Sequence, residues 1–176
     1  YDVGKVGDYH YIAMEYLPEA DLKAKLASGI TVFEGLAILK EVSLGLDYAG
    51  KKNLVHRDIK PENILFRESG HPVICDFGIA RQTDSKTSMT QIGTIIGTPF
   101  YMSPEQAEGI TVDHRADLYS LGVIFYELLT GELPFKSDTA VSIAVKHITE
   151  NYPSLPSQFA SFDDIMQRAL AKKPAE

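Results

Sequence analysis

Hydrophobic and polar positions change their rhythm several times along the chain. Near the start, a Gly7-Asp8 turn signal is followed by an apolar, β-prone run from Tyr9 to Leu17, which predicts a hairpin ending at Pro18. From Thr31 to about Lys52 the period lengthens. Leu36, Leu39, Val42, Leu46 and Ala49 keep helical spacing, so a long amphipathic helix is predicted. The stretch "ILFRESGHPVIC" then sets two apolar triplets around Ser69-Gly70 and predicts a second hairpin.

Residues Arg81 to Gly97 are polar, rich in Thr and Ser and without period, which predicts a long mobile segment. Past it, "DHRADLYSLGVIFYELLTG" reads as a strongly apolar helix with Gly131 as its C-cap. Ser137 or Asp138 is the expected N-cap of a further helix to about Ile148, and Phe162 to Ala171 suggests a last one. The sum is a mostly helical body with two small hairpins and no internal repeat.

Composition narrows the function classes. The 176 residues suit one domain or one large lobe with a real core. A net charge of −7 argues against a general nucleic-acid or anionic-membrane binder, which needs a positive surface field. The single cysteine, Cys75, excludes an internal disulfide framework and reads as a buried strand thiol. No apolar run approaches the roughly 18 residues of a membrane span, and no signal peptide is visible, so a soluble segment is expected.

The chemistry concentrates in "HRDIKPEN", His56 to Asn63. Pro61 disfavours a helix, and Asp58, Lys60, Glu62 and Asn63 together disfavour a strand, so an ordered loop is predicted. If the second hairpin turns between Ser69 and Gly70, Ile64, Leu65 and Phe66 pair with Cys75, Ile74 and Val73. Asn63 then faces Asp76, with Cα atoms roughly 4.5–5.5 Å apart. An amide oxygen and a carboxylate meeting there suit Mg²⁺, which takes one or two protein oxygens and completes its shell with phosphate and water. Lys60 is placed to neutralise a phosphoryl group and Asp58 to accept a hydroxyl proton. The expected chemistry is phosphoryl transfer, which needs positioning and charge stabilisation more than covalent catalysis.

The motifs "HRDIKPEN", "CDFG", "GTPFYMSPEQ" and "DHRADLYSLGVIFYELLTGELPF", in that order, resemble a eukaryotic-type (Hanks-type) protein serine/threonine kinase, and the wording around "GTPFYMSPEQAEG" is most similar to bacterial members. The resemblance implies an α+β, protein kinase-like fold. Residues 1–17 would be the end of the N-lobe and the hinge, and residues 18–176 a truncated C-lobe. The Gly-rich loop, the strand lysine and its glutamate partner fall outside the match.

Carried over, the resemblance makes Asp58 the catalytic base and Lys60 the γ-phosphate contact. Asn63 and Asp76 become Mg²⁺ ligands, with Mn²⁺ as a substitute. Asp21 would reach the ribose of ATP and Met14 guard the adenine pocket. The Glu15 and Leu17 backbones would bond adenine, and Leu65 would form its floor. Lys60 together with Thr98 is the Ser/Thr rather than the Tyr pattern. His56 and Phe77 would position the loop, and Asp117 would brace it; the plainer reading of Asp117 is a first-turn acid favoured by the helix dipole. Glu105 would pair with an arginine near the domain's end. Arg57 would bind a phosphate on the activation segment, with autophosphorylation expected on Thr90, then Thr94 and Ser88. Protein substrates and ATP are the expected partners, with a homodimer as the unit of trans-autophosphorylation and the kinase domain cytoplasmic even if the whole protein is membrane-anchored. The competing readings are a pseudokinase scaffold, whose mark is loss of Asp58, Asn63 or Asp76, and a small-molecule phosphotransferase, which the "SPEQ" stretch and the Asp117 helix disfavour.

Overall fold

The computed structural model describes residues 2–77 and 99–174; the Thr/Ser-rich stretch from Arg81 to Gly97 lies outside them. The first hairpin pairs β1 (Asp2–Val6) with β2 (Tyr9–Ala13), Val6 opposite Tyr9, so Gly7 and Asp8 form its loop. β2 stops at Ala13 rather than running on to Leu17. Ala13 sits opposite Asp2, the first residue of β1.

A short helix that periodicity does not announce, α1 (Leu22–Ser28), follows; it buries only Leu22 deeply and is capped by Asp21. The predicted long helix is α2 (Val32–Lys51). Thr31 and Glu34 cap it reciprocally, the Glu34 N–H donating to Thr31 Oγ1 at 3.2 Å and the Thr31 N–H to Glu34 Oε2 at 2.9 Å. Its inner face is Leu39, Val42, Leu46 and Ala49, as the spacing predicts, with Leu36 at the margin.

The second hairpin pairs β3 (Ile64–Phe66) with β4 (Pro72–Ile74), and here the expected register is off by one. Ile64 pairs with Ile74, Leu65 with Val73 and Phe66 with Pro72. The cause is loop length. Arg67 N–H donates to His71 O at 3.1 Å and Gly70 N–H to Arg67 O at 2.8 Å, with Gly70 at φ +81°. That is a three-residue connection centred on Ser69 and closed by a left-handed glycine, not a two-residue turn.

Helix α3 (Pro104–Glu108) starts at a Ser103–Gln106 capping box, and α4 (Arg115–Thr130) ends at Gly131 in the left-handed region. α4 is buried almost all round, with Ala116, Val123 and Ile124 at zero exposure. α2 and α6 (Asp163–Ala169) pack against it. The α2 crossing is close: a Cβ on Gly35 would fall 2.3 Å from Leu128 Cδ1. α5 (Ala140–Thr149) lies against α3 and is capped by Thr139, not by Ser137 or Asp138, because the Thr139 hydroxyl accepts from the Ser142 N–H at 3.1 Å. The last helix is shorter than Phe162 to Ala171, its lead-in being a 3-10 stretch, Ser157–Phe162. No described helix is long and apolar enough to cross a membrane.

Candidate active site

The loop from His56 to Lys60 is fastened to the core from below. Ile59 is buried at 1% exposure, and the carboxylate of Asp117, at the N-terminal turn of α4, accepts two loop N–H groups. His56 N–H donates to Asp117 Oδ2 and Arg57 N–H to Asp117 Oδ1, both at 2.8 Å. Burial pushes the Asp117 carboxyl above its ordinary value, and these two bonds pull it back. They also hold Arg57 in the left-handed region at φ +69°.

His56 ties the loop to the end of β4. A carbonyl only accepts, so His56 Nε2 carries the hydrogen and donates to Cys75 O at 2.7 Å; Nδ1 then accepts the Asp58 N–H at 3.3 Å. The ring of Phe77 meets His56 edge-on, with centroids 4.7 Å apart. Asp58 is exposed, and its carboxylate is met from two sides. Lys60 Nζ lies 2.8 Å from Asp58 Oδ2, and Asn63 Nδ2 donates to Asp58 O at 2.7 Å and to Oδ2 at 3.1 Å. Pro61–Asn63 form a single 3-10 turn, which brings Asn63 back over Asp58.

The register shift changes one expectation. Cys75, not Asp76, opposes Asn63, and Cys75 N–H donates to Asn63 O at 2.9 Å. Asp76 lies one residue past that pair, exposed and at φ +62°, where the chain turns out of the strand direction. The expected direct pairing of Asn63 with Asp76 across the ladder is therefore corrected. The donor set still fits an oxygen-liganded cation. With Asn63 Nδ2 committed to Asp58, Asn63 presents Oδ1, and Asp76 adds a carboxylate. Among the described residues no cluster of three or more His, Cys, Asp or Glu forms a metal site.

Leu65 points away from the core that takes Ile64 and Phe66, as strand alternation requires. Met14 is exposed. Glu15 and Leu17 line a hollow of about 450 Å³ with Arg67, Glu68 and Ser69, and Arg67 grips the Glu15 carboxylate with Nε at 2.8 Å and Nη2 at 3.0 Å. Asp21 spends Oδ1 on the Ala24 N–H at 2.8 Å, capping α1. Glu105 is buried and lines a cavity of about 740 Å³ together with Arg115 and Arg168. Arg57 has an exposed side chain, while Thr98, Thr90, Thr94 and Ser88 lie outside the described residues. Cys75 is half-buried, and burial raises its thiol pKa.

Several residues that sequence reasoning passed over complete the surroundings. Gln106 Nε2 donates to Arg57 O at 2.7 Å, linking α3 to the loop. The Tyr101 hydroxyl donates to Glu127 Oε2 at 2.7 Å, and Lys23 Nζ lies 3.2 Å from Glu127 Oε1. For Gln106 a signal existed: Ser103-x-x-Gln106 is a capping-box pattern, which would have placed a helix start here.

A loop braced by a carboxylate of a buried helix, with Asn63 folded back onto Asp58, has a counterpart in known sequences. The family described as "Protein kinase domain" matches residues 1–176, and the chain belongs to it. The chain is 39% identical over 180 residues to serine/threonine-protein kinase PrkC of Bacillus subtilis, covering 99% of this chain and 28% of that protein. It is 42% identical over 181 residues to serine/threonine-protein kinase pkn3 of Myxococcus xanthus, covering 94% and 33%. Against serine/threonine-protein kinase PknB of Mycobacterium tuberculosis the identity is 39% over 186 residues, covering 99% and 30%. The chain thus spans about a third or less of the length of these relatives.

Proposed function

We propose that the protein transfers the γ-phosphate of ATP to Ser or Thr hydroxyls of protein substrates. The observation that carries this reading is the convergence at Asp58. Asp117 fixes the backbone beside it, Lys60 lies against its carboxylate, and Asn63 is bonded to both its carbonyl and its side chain. A base held from three directions is suited to take the acceptor hydroxyl's proton without reorganising. Lys60 can swing its ammonium from Asp58 to the transferring phosphoryl group. Asn63 and Asp76 would hold Mg²⁺, or Mn²⁺ in its place, which when bound neutralises phosphate charge. The Glu15 and Leu17 backbones would bond adenine, with Leu65 as its floor, Met14 at its back and Asp21 reaching the ribose. Arg57 is the cation for a phosphorylated Thr90, whose added charge of roughly −1.5 to −2 would order the segment around it.

The test is Asp58→Asn in the full-length protein, which preserves shape and removes the base. Phosphoryl transfer to an acceptor protein is expected to fall roughly 10²- to 10⁴-fold. Unchanged turnover would overturn the assignment. Phosphopeptide mapping of the active protein is expected to find modification on Thr90, and a clean segment between Arg81 and Gly97 would remove the regulatory part of the reading.

A further inference from the structure

The backbone from Pro99 to Gln106 is secured by three side chains, each tied to a different part of the molecule. Gln106 Nε2 donates to Arg57 O in the catalytic loop, Ser120 Oγ donates from α4 to Tyr101 O at 2.6 Å, and His147 Nε2 reaches from α5 to Phe100 O at 3.1 Å. The last of these belongs to a buried polar chain that the proposed chemistry leaves unused. His147 and Tyr119 are at 0% and 4% exposure.

The direction of this chain follows from its ends. The Phe100 carbonyl only accepts, so the hydrogen sits on His147 Nε2; Nδ1 must then accept, and the Tyr119 hydroxyl, 3.0 Å away, donates to it. Lys172 backs the pair. Its Nζ donates to His147 O at 2.9 Å, lies 3.5 Å from the Tyr119 oxygen and stands 4.4 Å over the Phe135 ring. Burial, and then the Lys172 charge, push His147 down to about 4, so the ring is neutral near pH 7 and can donate and accept at once. Packing alone does not require this arrangement: a phenyl ring would occupy the space without a single polar atom to satisfy. What the polar chain adds is a fixed position for one backbone carbonyl. That carbonyl stands two residues from Thr98. Burial and the Glu127 bond raise the hydroxyl pKa of its neighbour Tyr101, with a smaller push from the charge of Glu62 beside the loop.

We propose that His147 and Tyr119, backed by Lys172, are positioning residues that hold the Pro99–Phe100 backbone in register with the catalytic loop, and so help seat the Ser- or Thr-bearing segment of the protein substrate. This rests on the kinase reading above. It assigns the two residues to the acceptor side of the site, not the nucleotide side, because His147 bonds the Phe100 carbonyl, two residues from Thr98.

The test uses the full-length protein with dephosphorylated casein as acceptor, and reads KM for casein, KM for ATP and the thermal midpoint. His147→Phe removes the bond to Phe100 and should raise the casein KM roughly three- to ten-fold while the ATP KM stays within about twofold. His147→Gln places an amide nitrogen near the former Nε2 and should bring the casein KM back toward wild type. Should His147→Phe fail to fold, Tyr119→Phe keeps the ring, removes the donor to Nδ1, and should shift the casein KM in the same direction. An unchanged casein KM in the folded variants, a parallel rise in both KM values, or a Gln variant no better than Phe would overturn the proposal. A wild-type protein that transfers no phosphate would instead strike the kinase reading itself.

Discussion

Asp117 gives up hydration on both carboxylate oxygens and receives two backbone N–H groups in return, from His56 and Arg57. Substitution by Asn tests what that exchange contributes, because the shapes match and the chemistry does not. An amide has one acceptor oxygen, so its NH₂ must face the second N–H, donor against donor, in a site at 2% exposure. Leaving that donor unpaired should cost about 1–3 kcal/mol in denaturant unfolding. Phosphoryl transfer should drop as well, because Asp58 sits next to one of the freed amides. Wild-type stability in Asp117→Asn would mean that the two bonds offset only their own desolvation.

The hairpin of β3 and β4 carries the site's least predictable feature, its register. Gly70 at φ +81° closes a three-residue loop, and an alanine there must occupy a conformation costing roughly 1–2 kcal/mol. Gly70→Ala should therefore lower the denaturation midpoint with an unchanged m value, and Gly70→Asn should do less harm; equal stability of all three would show that the loop adopts another turn. The same element shows where sequence reading ran out. "ESG" fits a two- or a three-residue loop, and only the second sets Asn63 opposite Cys75. By contrast α2 and α4 were legible, since their apolar spacing, the Thr31–Glu34 box and Gly131 all agree. Asp58, Lys60 and Asn63 were legible for a local reason: all lie within six residues and meet through one 3-10 turn. Gln106, Glu127 and His147 were not, because their partners are distant and two of them bond backbone carbonyls, which carry no residue-type signal.

At the scale of the whole molecule, elements distant in sequence are joined by buried polar groups, and one of these makes stability depend on pH. His147 is buried neutral, with Tyr119, Lys172 and the Phe100 carbonyl as its polar neighbours. Its pKa is lowered from an ordinary 6.5 to about 4. Between those values the unfolded chain binds a proton that the folded chain refuses, so stability rises with pH across this window. The contribution is complete above about 6.5 and is lost on acidification toward 4, amounting to roughly 3 kcal/mol. Shifted carboxyls complicate the raw curve, Asp113, Asp117 and the capping Glu34 among them. Asp113, held down to about 2 mainly by its bonds to Arg115, loses its contribution only below the ordinary carboxylate value, while Asp117, raised by burial, slopes the opposite way. Comparison with His147→Gln cancels these, since none of the three carboxyls touches the imidazole. Urea unfolding at half-unit steps from pH 4 to 7 should show wild type losing stability on the acid side faster than the Gln variant, with the two curves parallel above 6.5. Parallel curves throughout would mean that His147 titrates in the folded chain as it does in water, and that its ring is not sealed between α4 and α5.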